Sequence, residues 1–278
     1  MKSKKLNPIF FILLVLWLFA VAAASVYDLD ISLAVANESS LFGRVLEIAG
    51  EPPAILFTSF NFALISAYLF KIASRRILAV LAEIVTVGTS VFTFTKIEGY
   101  LVDYGIITDE IGFTLAAVII SATVSALFIA ITLKLPTESL ERYFDTACRC
   151  AIVGVATFVI IWLFKLAWGR VRFRQGGSDP DVFTPWYLPQ GFTGYYSFPS
   201  GHTANATVIL TVTLYFKFMS ERAKKFKPLI MTVLGAWLAA VAFSRVLIGA
   251  HFLSDVLFGA AITLAIIYFV KGKDKNVH

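Results

Sequence analysis

The chain has only two internal histidines, His202 and His251, and each is embedded among residues suited to handling an anion. His202 ends the run Phe198-Pro199-Ser200-Gly201-His202, and His251 belongs to Ser244-Arg245-x5-His251-x3-Asp255. A third segment, Lys165-x6-Arg172, precedes both. A phosphoryl group in transfer spreads its charge over three oxygens, so its catalysis is largely positioning plus cationic stabilisation. Lys165, Arg172 and Arg245 supply such charge, the arginines with a fork that matches phosphate oxygens two at a time. Ser200 and the backbone amide of Gly201 can add hydrogen bonds where a helix begins. His251 and Asp255 are four residues apart and share a helical face. There a carboxylate can hold one ring nitrogen protonated and leave the other free to attack phosphorus.

These segments must be brought together by elements that the composition identifies as membrane helices. Of 278 residues, 58% are hydrophobic and 15% charged, against roughly 45–50% and about 25% in soluble domains. Eight apolar stretches approach the roughly 20 residues needed to span a bilayer, near 8–26, 53–70, 77–95, 111–133, 150–168, 202–219, 229–248 and 251–270. The expected fold is therefore an all-α polytopic transmembrane bundle, a single domain over 1–278 with its chemistry in 165–255.

The basic residues fix an orientation. With the N-terminus in the cytoplasm, 17 of the 24 Lys and Arg fall on inner segments and 7 on outer ones, the asymmetry expected of a membrane protein with both termini inside. The net charge of +6 follows from those clusters and excludes a nucleic-acid partner. Five of the seven outer cations, Lys165, Arg170, Arg172, Arg174 and Arg245, bracket the two histidines. Cations placed against the topological preference need a reason, and an anionic ligand is sufficient. Arg170 and Arg174 are not motif positions and are assigned to lipid headgroup contact or interfacial anchoring. The apolar run ending Ala22-Ala23-Ala24-Ser25 also has the look of a secretory signal, an alternative that leaves every later loop on the same side.

Chain length allows the segments to converge. The 41 residues between His202 and Ser244 accommodate one inward and one outward helix. Only 26 residues separate Arg172 from Pro199, with no credible span among them. That loop, with Pro180, Pro185, Trp186, Tyr187, Pro189, Tyr195 and Tyr196, suits an interfacial lid or headgroup wall. Glu83, inside an apolar run, is either functional or a satisfied structural carboxylate. Cys148 and Cys150 are too close for a structural disulfide. No cluster of residues resembles a metal site, and neither metal nor cofactor is expected.

The three segments together resemble the type 2 phosphatidic acid phosphatase superfamily, which includes bacterial lipid phosphatases, glucose-6-phosphatase and vanadium haloperoxidases. The resemblance covers residues 165–255 and departs from the family at Phe173, where proline is usual. It implies a catalytic core of six helices, so eight spans mean either two additional N-terminal ones or one segment that is not a span. It also implies that His251 is the nucleophile, His202 the general acid and Asp255 the orienting partner, with Lys165, Arg172, Ser200, Gly201 and Arg245 on the phosphate. The implied partners are a phosphorylated lipid and the membrane lipids of a bacterial plasma membrane. Phosphatidic acid, phosphatidylglycerophosphate and undecaprenyl pyrophosphate all fit. A phosphotransferase passing the group to another lipid, and a non-enzymatic anion-binding or transport protein, are the alternatives; release of free phosphate separates them.

Overall fold

The computed structural model describes residues 8–108 and 110–271. Lys2, Lys4, Lys5, Lys273 and Lys275, which enter the charge asymmetry above, lie outside the described residues, as do the termini themselves. Among the described residues there is no strand. The helices are α1 (Pro8–Val35), α2 (Leu41–Ala49), α3 (Pro52–Lys71), α4 (Arg76–Asp103), α5 (Glu110–Lys134), α6 (Thr137–Trp168), α7 (Gly201–Val208), α8 (Glu221–Lys224), α9 (Lys227–Leu247) and α10 (Leu253–Lys271). Among the described residues, seven helical stretches are long and apolar enough to cross a membrane, with α2 and α3 together making one of them. The chain is an integral membrane protein.

The predicted sixth span, 202–219, is where the seven differ from the eight expected. It is α-helical only to Val208 and continues as a 3-10 helix over Ile209–Phe218. The β-branched run Thr207, Val208, Ile209, Thr211, Val212 and Thr213 disfavours α-helix. Thr211 and Thr213 also turn their hydroxyls onto the carbonyls of Val208 and Leu210 at 2.8 and 2.7 Å, three residues back. At about 2.0 Å rise per 3-10 residue against 1.5 Å per α residue, these 18 positions still extend roughly 30 Å. The segment therefore runs the length of the bundle.

Counted that way, the chain passes end to end eight times. Residues 36–51, 104–108, 169–200 and 248–252 gather at one end; residues 72–75, 135–136 and 219–226 gather at the other, with Pro8 and Lys271. Twelve of the nineteen described Lys and Arg lie toward that second end and seven toward the first. Two predicted boundaries shift. α6 starts at Thr137 rather than near 150, and α1 continues past Ser25 to Val35, carrying Asp28 into the interior.

Lipid-facing surfaces are large and apolar, whereas the buried ones are small and often hydroxylated. Ala54, Ala63 and Ala67 on α3 and Ala79 and Ala82 on α4 are buried, and Ser59 donates to the Thr86 carbonyl at 2.9 Å. Where lipid removes the hydrophobic drive for association, close backbone approach and interhelical hydrogen bonds replace it. Glu83 belongs to this structural set: it accepts from Ser66 on α3 at 3.0 Å, far from the histidines.

Candidate active site

The first-named end of the bundle holds a cavity of about 200 Å³ lined by Lys165, Arg172, Gly201, His202 and His251, all of them expected, together with Lys96 and Tyr100 of α4. Asp255, Ser200 and Arg245 stand behind this wall. Each is placed by a local feature of the fold. α6 ends at Gly169, whose φ of 56° is left-handed and whose missing Cβ would lie 2.1 Å from the Gly191 carbonyl. Only glycine can end the helix there, so the chain folds back across its end. Arg172 then precedes a short turn, Phe173–Gln175, docked by the Arg174 amide on the Gly249 carbonyl at 2.9 Å. Phe173, which replaces the usual proline, is buried edge-on against Phe252 and fixes this turn by packing.

Ser200 caps α7, its Oγ accepting from the Thr203 amide at 3.3 Å. That turns the hydroxyl into the helix, while Gly201, at the positive end of α7, lines the cavity beside Lys165. Lys165 donates to the Tyr196 carbonyl at 2.5 Å, tying the end of α6 to the loop 169–200. The loop is pinned rather than free. Trp186 Nε1 donates to Ser25 Oγ at 3.0 Å, and the Trp186 ring lies against Phe198 and Phe258, leaving Phe192 as its most exposed aromatic.

His251 follows α9 and faces Asp255 of α10, with Nδ1 3.5 Å from Oδ2. The carboxylate is itself fully engaged: Arg170 reaches Oδ1 at 2.7 Å, and Ser197 Oγ and the Phe252 amide reach Oδ2 at 2.5 and 2.9 Å. Burial, only partly offset by Asp255, pushes the His251 pKa down to about 3. The imidazole is thus neutral at pH 7. With Nδ1 turned to Asp255, the lone pair available to the cavity is on Nε2.

Three carboxyl groups of the N-terminal half that sequence patterns did not single out join Asp255 in holding this assembly together. Asp28 of α1 accepts from Arg170 Nη2 at 2.9 Å and from the Ser254 amide at 3.0 Å at the start of α10. Glu47 of α2 accepts from Arg245 at 2.7 Å and Arg174 at 3.0 Å. Glu51, between α2 and α3, pairs with Lys96, accepts from Asn205 at 2.9 Å and lies 3.6 Å from His202 Nδ1. Arg170 is therefore an internal ion-pair partner, not a headgroup contact or interfacial anchor: it is 1% exposed and also sits 4.1 Å over the Phe252 ring; Arg174 pairs with Glu47 while staying partly exposed.

The pairing is incomplete in a telling place. Buried donors without a hydrogen-bond acceptor include Arg172 Nε and Arg245 Nε and Nη1. Burial, then the charges of Arg174 and Arg245, hold the Arg172 pKa below the usual guanidinium value while it stays cationic. Unpaired buried guanidinium donors are costly unless an anion completes them. Among the described residues, no three His, Cys, Asp or Glu side chains group so as to hold a metal ion.

Fold and site define a polytopic helical protein with a buried, cation-rich cavity that brings two histidines together. Residues 148–276 match the model of the PAP2 superfamily. A relative, phosphatidylglycerophosphatase B of Bacillus subtilis (strain 168), is 35% identical over 98 residues, 34% of this chain and 46% of the relative. The chain thus matches about half the length of that curated relative. No solved structure matches. Helices α1 to α5, with Asp28, Glu47, Glu51, Lys96 and Tyr100, lie outside the matched segment.

Proposed function

We propose that this single-domain chain hydrolyses a membrane lipid phosphate or pyrophosphate without a metal, through a phosphohistidine on His251. The supporting observation is a polar cavity with unpaired guanidinium donors that adjoins an apolar cleft of similar volume between α3, α4 and α6. Phe92, Phe158 and Asn205 line both. The cleft is walled by Ala54, Ile55, Gly88, Val155 and other apolar groups. A molecule with a phosphate head and a hydrocarbon tail matches this pair of compartments, and phosphatidic acid, phosphatidylglycerophosphate and undecaprenyl pyrophosphate are the types considered.

In the first step, His251 Nε2 attacks phosphorus and the bond to the leaving oxygen breaks, with Asp255 stabilising the ring as it gains positive charge. Lys165, Arg172 and the α7 amino end at Gly201 stabilise the equatorial oxygens, with Arg245 contributing its free donors from behind. His202 supplies the proton to the leaving oxygen. Water then attacks the phosphohistidine, releases phosphate and returns the proton to His202. The cations occupy the role that divalent metals play in other phosphoryl transfers. Both termini are assigned to the cytoplasm of a bacterial cell and the site to the opposite face.

The test is phosphate release by the purified protein in detergent from a panel of lipid phosphates, with and without excess EDTA. Activity on at least one lipid that survives EDTA is expected. A strict requirement for a divalent metal, transfer of phosphate only to a second lipid, or lipid binding without phosphate release would each overturn the proposal.

A further inference from the structure

The match to the PAP2 superfamily begins at residue 148, yet α4, which precedes it, reaches the cavity with Lys96 and Tyr100. These two are four residues apart and share a helical face. Lys96 pairs with Glu51, and Tyr100 contacts the ring of His202. The hydrogen atoms in this cluster follow from the chemistry of the neighbours. His202 Nε2 lies 3.1 Å from the Glu47 carbonyl oxygen and 3.2 Å from Tyr100 Oη. A carbonyl can only accept, so Nε2 carries the proton and shares it between the two oxygens. The phenol oxygen is then an acceptor toward His202. Its own hydrogen finds no other acceptor among the described residues, and the Tyr100 side chain lines the cavity.

At the other nitrogen, Nδ1 faces the Glu51 carboxylate at 3.6 Å. Two acceptors, one at each nitrogen, are the surroundings a doubly protonated ring satisfies. That is the form a general acid needs before the leaving group departs.

We infer that Tyr100 is a catalytic residue that hands the proton of His202 to the leaving oxygen. This rests on the phosphohistidine reading above, in which His202 is the acid. As the phosphorus–oxygen bond breaks and the His251 Nε2–phosphorus bond forms, the Tyr100 phenol proton moves to the departing oxygen. The His202 Nε2 proton moves to Tyr100 Oη in its place. The alcohol leaves neutral, tyrosine is a phenol again, and His202 is a neutral imidazole. In the hydrolytic step the attacking water gives its proton to Tyr100, whose own proton returns to Nε2, so the pair is restored. Tyrosine suits the part because its hydroxyl accepts and donates at once, and the ring is held by α4 packing rather than by a mobile loop.

The experiment compares Tyr100→Phe, His202→Ala and the double variant on an alkyl lipid phosphate and on 4-nitrophenyl phosphate. The nitrophenolate leaves with little need of a proton, so it reports the rest of the machinery. For Tyr100→Phe we expect kcat/KM on the alkyl phosphate to fall on the order of 10²-fold, with the aryl phosphate within about 3-fold, which also shows that the variant is folded. In the double variant the alkyl loss should be no larger than in His202→Ala alone, because both changes cut one chain. Equal losses on both substrates for Tyr100→Phe, or losses that multiply in the double variant, would overturn the inference while leaving His202 as the acid. If His202→Ala itself shows no dependence on the leaving group, the reading of His202 fails and the relay fails with it.

Discussion

The two halves of this chain contribute opposite charges to one site. From residue 165 onward come the cations and histidines: Lys165, Arg170, Arg172, Arg174, His202, Arg245 and His251. From α1 to α3 come Asp28, Glu47 and Glu51, each buried and each paired with those cations or with Lys96 of α4. Isolated, the second half would bury several guanidinium groups with a single carboxylate, Asp255, among them. The first half neutralises most of that charge, and the donors left unmatched on Arg172 and Arg245 are the ones near the cavity. The difference teaches that the motif-bearing half brings the cations and histidines, while the other half determines how much of that positive charge stays unpaired.

Removing His251, the proposed nucleophile, should break the comparison at its functional pole. His251→Ala is expected to reduce phosphate release from every substrate, alkyl, aryl or pyrophosphate, to the limit of detection, and to abolish acid-labile labelling by a radioactive phosphate donor. Because His251 lines a cavity and Asp255 keeps Arg170, Ser197 and the Phe252 amide without it, the variant should remain folded. Substantial turnover of any substrate would remove His251 from the nucleophile's role.

Removing a carboxylate should act at the opposite pole, on the fold first. Glu47→Ala leaves the buried Arg245 side chain without its one hydrogen-bond acceptor among the described residues and takes the partner from Arg174. Breaking a buried pair in this way costs about 3–5 kcal/mol. The check is unfolding by SDS in mixed micelles, and inorganic phosphate should recover part of the loss by occupying the unpaired donors. An unchanged unfolding midpoint would show that the N-terminal carboxylates do not hold the cations.

The sequence made the cation-rich half legible because histidine and arginine are scarce in an apolar chain and their spacings are distinctive. The carboxylate half was harder to see. Glu83 drew attention by lying in an apolar run, yet Ser66 satisfies it locally. Glu47 and Glu51 belong to or flank a nine-residue helix too short to register as a span, and Asp28 lies beyond the predicted end of the first one. A usable signal was present: cations buried at one end of the bundle need anions at that end, and these three are acidic residues there. Tyr100 carried no such signal, since an aromatic near a helix end is ordinary in a membrane protein. The α-to-3-10 change at Val208 was likewise hidden, because both helices share one hydropathy profile.

The smallest predicted effect concerns the apolar cleft, which is built jointly by α3 and α4 of one half and α6 of the other. Gly88 on α4 lines the cleft, and a Cβ there would meet nothing within 4 Å. At Gly154 on α6, across the cleft, a Cβ would fall 2.7 Å from the Thr58 side chain. Gly88→Leu should therefore fill the cleft without disturbing the helices, and leucine is also the better helix former, whereas Gly154→Leu should force α3 and α6 apart. If the cleft holds the substrate's tail, Gly88→Leu displaces about two methylenes at roughly 0.8 kcal/mol each, which is on the order of 10-fold in affinity. The expected result is a rise of about that size in KM for a long-chain lipid phosphate, with kcat/KM for a short, soluble phosphate ester within about 2-fold. A matched loss on both substrates would mean that the leucine perturbs the polar cavity through Phe92 and Phe158; no loss on either would place the tail outside the cleft.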